Sequence, residues 1–399
     1  MFEHVQPGPD DPMFRLKKEA DADTSEKKVD LGVGIYRDEE GHYHELMVVQ
    51  RAKKILEEKN LGHDYELTIG NVNFLEQAAR VMFGNNQAVL DRVSSVQTIS
   101  GTGANHLGAM FLRRCSETST TPQVFNGAPT WGNHDPLFRL GGFDEIKTYS
   151  YYDRDAAEID FATLLQTAQA APRGSIFILQ ACCHNPTGAD LTQEQWRKLA
   201  NVMKVNDLFP FFDIAYQGLG GSLEDDAYPI RLFAEMGFEM AVCQSFSKNF
   251  GLYGERCGVL HIVCADNAIA ANVQDQLRCL IRWEFSSSPA YGSRLVSIIL
   301  ENHDLEKAWR DELLEMRSRL EHNRKSLYKS LEKTPGNWQS IITTTGLFCF
   351  LPLSAQQCWK LRNNYHIYLP DTGRINLAGI NNSNVEYVAA SIAGVVRDP

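Results

Sequence analysis

The 399-residue chain has 43% hydrophobic and 22% charged residues and a formal net charge of −11, a composition suited to a globular protein with a substantial core, in two domains or one large one. The negative balance disfavours non-specific binding to nucleic acid or to an anionic membrane surface, and no apolar run approaches a membrane span. Nine cysteines, an odd number with no Cys-x-x-Cys, read as reduced thiols rather than a disulfide framework or a zinc site. Met1-Phe2-Glu3-His4-Val5 lacks the basic and apolar regions of a secretory leader, so a cytoplasmic setting is expected.

Residues 1–30 are polar and proline-rich, and taken alone read as a frayed tail. Val29 to Arg37 alternates small and apolar residues, as a strand with close-packed glycines does. Residues 47–60 carry a helical pattern, followed by Asp64-Tyr65-Glu66, where Tyr65 reads as a half-buried aromatic. Val93–Ile99 reads as a strand, Ser100-Gly101-Thr102-Gly103-Ala104-Asn105 as a glycine turn, and the residues to Leu112 as a helix. Strand, glycine turn and helix is one way of presenting backbone N–H groups to a phosphate. A short strand from Gln123 leads to Trp131, and an apolar run from Ser175 leads to the turn Asn185-Pro186-Thr187-Gly188. A helix is expected over Asp190–Asn206, with Thr192 as N-cap and Glu194–Lys198 as an i,i+4 pair.

Leu208–Phe212 is a strongly apolar strand with Asp213 at its exit and Tyr216 three residues on. A carboxylate there is costly unless partnered, although a turn aspartate is the ordinary explanation for an isolated case. Met240–Cys243 is another buried strand. It leads into Gln244-Ser245-Phe246-Ser247-Lys248-Asn249-Phe250-Gly251-Leu252-Tyr253-Gly254-Glu255-Arg256. A solvated loop with an ordinary lysine is one reading. In the other, Lys248 is desolvated near Arg256, so that its amine spends time unprotonated and can condense with an aldehyde. Ser245, Ser247 and Arg256 would then hold a phosphate. An aldehyde for the lysine and a phosphate for its neighbours suit pyridoxal phosphate. Strands alternating with helices from about 95 to 265 imply a mainly parallel, helix-covered α/β sheet. Its strand ends would hold the shared site. A highly charged helix over about 303–333 precedes the C-terminal segment Asp371-Thr372-Gly373-Arg374-Ile375-Asn376-Leu377.

Seven motifs stand in order: Gly32-Val33-Gly34-x-Tyr36-Arg37, Ser100-Gly101-Thr102-Gly103-Ala104, Pro129-Thr130-Trp131, Asn185-Pro186-Thr187-Gly188, Asp213-x-Ala215-Tyr216-Gln217-Gly218 and the Lys248 segment, closing with Gly373-Arg374-Ile375-Asn376. Together, over nearly the whole chain, they resemble the class I aminotransferases of the aspartate aminotransferase family. The resemblance implies pyridoxal phosphate on Lys248 and a fold type I architecture: a mainly parallel central sheet plus a smaller α/β domain built from both termini. The expected division is an arm and part of the small domain in 1–40, a large cofactor-binding domain in 41–302, and a connecting helix with the rest of the small domain in 303–399.

The resemblance also implies roles. Ser100, Gly101 and Thr102 form the phosphate cup with Ser245, Ser247 and Arg256. Trp131 stacks on the pyridine ring. Asn185 and Tyr216 bond its 3-oxygen, and Asp213 keeps its nitrogen protonated. Arg374 clamps the α-carboxylate, and Gly34 leaves room beside the substrate. A homodimer with shared active sites is implied, with Tyr65 reaching the other subunit's cofactor phosphate and Arg282 the distal carboxylate of its substrate. The N-terminal arm, including Pro9-Asp10-Asp11-Pro12-Met13-Phe14, would lie on the partner subunit.

The chain departs from the usual pattern at several points. Ser287 replaces an asparagine, Gln180 a histidine common beneath the cofactor face, and Asp30 an asparagine. Glu66 follows Tyr65 where a proline-containing segment is usual, and Met47 stands where proline is common. The implied activity is ping-pong transfer of an amino group between L-aspartate, or a related amino acid, and 2-oxoglutarate. The substituted entrance residues motivate an alternative on the same fold, a β-lyase, decarboxylase or synthase with an altered substrate. A catalytically silent binding protein is a further alternative, opposed by the intact lysine, aspartate and arginine set.

Overall fold

A computed structural model describes residues 1–116 and 121–397. Among the described residues the central sheet has seven strands: β1 (Val93–Ile99), β2 (Val124–Ala128), β3 (Ile146–Ser150), β4 (Ile176–Gln180), β5 (Phe209–Ile214), β6 (Met240–Ser245) and β7 (Cys257–Val263). Their spatial order is β1-β7-β6-β5-β4-β2-β3. Pairs from β3 through β6 are parallel, while β7 runs antiparallel to both β6 and β1. The sheet is therefore mainly parallel, as expected, with one reversed strand. Its central strands are apolar almost without interruption: Phe211 and Phe212 of β5 are both 0% exposed. That is the pattern of a strand covered on both faces.

The flanking helices form for local reasons. In the Gln193–Val205 helix, the Thr192 hydroxyl accepts from the Gln195 N–H while the Gln195 side chain accepts from the Thr192 N–H. Its buried residues Trp196, Leu199, Ala200 and Met203 follow helical spacing onto the sheet. The helix starts three residues after the expected Asp190, because Asp190 instead accepts from the N–H groups of Cys183 and His184 and from Thr345 Oγ1. No helix of the described residues is long and apolar enough to cross a membrane.

Both ends of the chain meet beside the sheet. Val29–Asp30 pairs in parallel with Ile367–Tyr368, and Phe348–Phe350 pairs antiparallel with Arg374–Asn376. The charged stretch forms one helix, His303–Leu331. Its buried face includes Trp309, Leu313, Met316, Leu320 and Leu327, spaced to keep one side apolar. Trp309 stacks on Phe250 at 4.4 Å, and its Nε1–H donates to the Asn249 carbonyl at 2.7 Å.

Two local expectations are corrected. Residues 1–30 are not a frayed tail throughout: Pro12–Ala22 is a helix capped by Asp11, with Leu16 and Ala20 buried in a cluster with Tyr368 of this same chain. No glycine turn precedes the Ser100–Cys115 helix, which begins directly at Ser100. Its glycines serve close packing instead. A Cβ on Gly101 would lie 3.0 Å from the Cβ of Ser245, and one on Gly103 would lie 3.2 Å from the Cβ of Ile99.

Trp309→Ala is expected to cost about 3–5 kcal/mol, measured by urea unfolding, and to speed amide exchange around Phe250. Unchanged exchange there would show that the long helix does not support the lysine loop.

Candidate active site

Strand register delivers the site. Gln180 of β4 stands opposite Asp213 of β5, and Asp213 opposite Cys243 of β6. The carboxyl ends of these strands therefore lie level, and polar residues crowd the crevice beyond them, where open α/β sheets bind ligands. A cavity there is lined by Ser100, Gly101, Thr102, Trp131, Gln180, Asn185, Asp213, Ala215, Tyr216, Ser245, Ser247, Lys248 and Arg256. Thus eleven of the residues singled out from sequence line one cavity.

At one end three buried hydroxyls form a triangle. Ser100 Oγ lies 2.8 Å from Ser247 Oγ and 3.2 Å from Ser245 Oγ, and Ser245 and Ser247 are 3.2 Å apart. The Ser100–Cys115 helix begins in the same place, its first residues Ser100, Gly101 and Thr102 lining the cavity and the Ser100 N–H donating to the Arg256 carbonyl at 2.9 Å. Arg256 lines the cavity and donates from Nη1 to the Tyr253 carbonyl at 2.9 Å. Its φ of 52° turns the chain back there. Hydroxyls, a helix N-terminus and a guanidinium are a fitting donor set for a phosphate.

Lys248 is buried. Burial brings its amine down from 10.5 to about 8; Asp213 opposes the fall and Arg256 adds to it. Its Nζ stands 5.2 Å from the centre of the Tyr216 ring. Tyr216 is buried as well, which raises its phenol, with Arg374 acting the other way. Asp213 is 7% exposed and lies 3.1 Å from His134 Nε2.

Arg374 does not line the cavity but stands behind it. Its Nη1 donates to Asn185 Oδ1 at 3.2 Å, and its Nη2 donates to the Gly32 carbonyl at 2.7 Å. The guanidinium lies over the Phe348 ring at 4.3 Å, and Met13 Sδ approaches Nη2 at 3.5 Å. Among the described residues Arg374 has no carboxylate partner, and its Nε is buried without a hydrogen bond. Burial lowers its pKa. A half-buried cation lacking an anion fits a carboxylate ligand. Gly34 lies against the same Phe348, where a Cβ would come within 2.9 Å of the ring. Asp30 shapes this loop: one oxygen accepts from the Gly32 N–H at 3.0 Å, and the other pairs with Arg37 Nη2 at 2.5 Å.

Two residues singled out from sequence stand apart from this chain's cavity. Tyr65 is 87% exposed and borders a separate cleft of about 770 Å³ with Glu66, Ser287 and Arg294. Glu66 pairs with Arg294 at 2.7 Å. Arg282 is exposed, its Nη1 donating to Ser286 Oγ at 2.5 Å.

Sequence reasoning missed His134. His134 is 0% exposed and bridges Thr130 Oγ1 at 2.8 Å to Asp213. Trp131 meets the His134 ring edge-on at 5.3 Å. The signal available was the i,i+4 spacing of Thr130 and His134 just past a strand, which carries little weight alone. Gln180 was noticed only as a departure; its side chain bonds both the N–H and the C=O of Asn185.

The sequence profile of the family described as aminotransferase class I and II matches residues 26–392. The chain is 43% identical to the aminotransferase tasG of Hapsidospora irregularis over 99% of this chain and 96% of that one. It is 42% identical to the mitochondrial aspartate aminotransferase of Dictyostelium discoideum, covering 99% and 93% respectively. The fold superposes with a TM-score of 0.95 and 37% identity on an aromatic-amino-acid aminotransferase from Burkholderia pseudomallei. That structure is covalently bound to pyridoxal phosphate, and 99% of each chain is covered.

An amine that loses its proton near pH 8 reacts with electrophiles where ordinary lysines do not. Acetylation of Lys248 by a small anhydride, in protein stripped of small ligands, should rise with pH to a half-maximum near 8. Peptide mass spectrometry checks this. A profile matching that of surface lysines would contradict the depressed value.

Proposed function

Because the chain belongs to the aminotransferase class I and II family, we propose that it uses pyridoxal phosphate to move an amino group between L-aspartate, or a closely related amino acid, and 2-oxoglutarate. Membership carries the coarser statement, an aminotransferase of the aspartate and aromatic type. The choice of a dicarboxylic substrate is our reading. The observation that most supports an amino-acid substrate is Arg374, a half-buried cation without a carboxylate partner held against Asn185 of the lysine cavity, while the dicarboxylic choice rests on Arg282, which the resemblance assigns to the distal carboxylate.

The donor set fits the cofactor. Ser100, Gly101, Thr102, Ser245, Ser247 and Arg256 would hold its phosphate, and Lys248 its aldehyde. Trp131 would lie against the ring, Asn185 and Tyr216 would bond the 3-oxygen, and Asp213 would face the ring nitrogen. When bound, the group supplies an aldehyde that captures the amine and a ring that takes up the electrons of the broken Cα–H bond.

The chain's own residues do the rest. Lys248 Nζ, near 8 and therefore partly unprotonated at neutral pH, takes the substrate's Cα proton as general base. Asp213 holds a negative charge beside the ring nitrogen. Tyr216, its phenol raised by burial, stays protonated and donates. Arg374 fixes the α-carboxylate with its planar fork, orienting the Cα–H bond toward Lys248.

A homodimer completes this reading. Tyr65 and Arg282 are exposed and do not line the cavity of their own chain, as residues that serve a partner's site would be. We take 41–302 as the cofactor-binding unit. We take 1–40 with 303–399 as the smaller one, on the pairing of Val29–Asp30 with Ile367–Tyr368.

The substrate assignment is tested by the visible spectrum of the purified protein. L-Aspartate without an acceptor should bleach the cofactor's visible band, and 2-oxoglutarate should restore it. A band bleached by L-phenylalanine but untouched by L-aspartate would overturn the dicarboxylate assignment. Release of ammonia or carbon dioxide without an oxoacid acceptor would instead favour a lyase or decarboxylase. Site sharing has its own test. Lys248→Ala and Arg282→Ala subunits, each inactive toward aspartate alone, should regain turnover when refolded together. Mixtures that stay inactive would place Arg282 outside the partner's site.

A further inference from the structure

We propose that Gln180 is a positioning residue: it holds His134 neutral, with its one ring proton on Nε2, so that Asp213 keeps its full negative charge toward the cavity. This rests on the reading of Asp213 as the partner of the cofactor's ring nitrogen.

The directions of a short hydrogen-bond chain carry the inference. A backbone N–H can only donate and a backbone carbonyl can only accept. Asn185 presents both to Gln180: its N–H lies 2.8 Å from Oε1, and its carbonyl lies 2.9 Å from Nε2. The amide of Gln180 therefore has one orientation. Its Nε2 is a donor and also faces Thr130 Oγ1 at 3.2 Å. Thr130 accepts there, so its single hydroxyl hydrogen points to its other partner, His134 Nδ1, at 2.8 Å. Nδ1 is thereby an acceptor and carries no proton. The ring's proton is on Nε2, donated to Asp213 Oδ2 at 3.1 Å.

A doubly protonated His134 would need an acceptor at both nitrogens. Nδ1 would then donate to Thr130, and the Thr130 hydroxyl would face only the Nε2 donor of Gln180. That arrangement leaves the Thr130 hydroxyl hydrogen without an acceptor among the described residues, beside a ring that is 0% exposed. The ionisable groups facing His134 do not relieve it. Asp213 already takes the Nε2 proton, and His184, pushed down to about 3 chiefly by burial, stays neutral. An imidazolium next to Asp213 would largely cancel the charge that the ring nitrogen is to meet. Histidine, common at position 180 in the family pattern, can donate or accept at either nitrogen. It would not impose one direction, whereas a glutamine pinned by a peptide group does.

Neutron diffraction from deuterium-exchanged crystals of the holoenzyme tests this directly. One deuteron on His134, at Nε2, is expected, with the Thr130 deuteron aimed at Nδ1. Deuterons on both nitrogens, or a Thr130 deuteron aimed at Gln180, would overturn the proposal. Gln180→Glu is the discriminating variant, because a carboxylate accepts from the Asn185 N–H but cannot donate to Thr130. The Thr130 hydroxyl should turn toward it and His134 should gain a second deuteron. In this variant kcat is expected to fall about tenfold or more, with KM for the amino donor held within about twofold.

A folded Gln180→Glu enzyme in which His134 keeps a single deuteron would remove Gln180 from control. Should that variant fail to fold, Gln180→Leu lacks the donor altogether. Deuterium at Nδ1 is expected there too, and its absence would count equally against the proposal. The same maps show whether Asp213 faces the ring nitrogen. A failure of that reading is thus distinguished from a failure of the proton ordering.

Discussion

The site depends on two half-buried cations that lack a carboxylate ion-pair partner among the described residues. Lys248 and Arg374 both stand near the crevice beyond the sheet, and each has its pKa lowered by burial. Removing a charge from water costs several kcal/mol unless something replaces its hydration. The chain meets this cost differently at the two sites. Lys248 can shed its proton, because an ammonium titrates readily when buried. A guanidinium cannot, so Arg374 is given the carbonyl of Gly32, the oxygen of Asn185 and the face of Phe348. Its Nε is still left without a partner. Neutral and π acceptors hold the side chain in place without discharging it, and a cation kept ready in this way binds an arriving anion strongly.

The sheet makes this arrangement possible because register is exact over one residue. Gln180 and Asp213 are neighbours across β4 and β5, and Asp213 and Cys243 across β5 and β6. A slip of one residue in any of these pairs would turn Asp213 away from the crevice and put an apolar side chain in its place. The apolar runs Ile176–Leu179, Phe211–Phe212 and Met240–Cys243 set that register, since both faces of each strand are covered. The fold's core thus determines where the polar residues stand.

That dependence explains what was legible in the sequence. Strand exits could be read directly, because an apolar run ending in polar residues marks where a sheet strand leaves the core. That placed Asp213, Ser245, Ser247 and Lys248 at neighbouring exits, and the resemblance decided between a shared site and ordinary turn or loop residues. The Pro12–Ala22 helix was not legible: its Asp11 cap and Pro12 are ordinary signals, but only Leu16 and Ala20 are buried and the remaining positions are polar or exposed. The glycines at 101 and 103 gave the wrong local reading. Glycine marks either a turn or a close approach, and here Ser245 and Ile99 of other strands decide for the second. His134 was hidden because its meaning lies in Asp213, which is 79 residues away. Tyr65 and Arg282 owe their assignment to resemblance alone, and nothing in this chain's own cavity touches them.

Arg374 also ties the two ends of the chain to the sheet. It leaves the Arg374–Asn376 strand, meets Gly32 near the N-terminal segment and reaches Asn185 just past β4. The supports behind it are arranged in series. Asn376 Nδ2 donates to the carbonyls of Val33 and Ile35, while Asp30 holds the Gly32 N–H and is itself held by Arg37. An aspartate at position 30 adds a charge-assisted bond where the usual asparagine would offer a neutral one. The Gly32 carbonyl is therefore a rigid acceptor, and a carboxylate arriving at Arg374 must compete with it or share the fork. Only a planar group with several donors can do both at once. This is the physical reason for an arginine there: its two terminal nitrogens hold Asn185 and Gly32 while its charge stays unpaired for an arriving carboxylate.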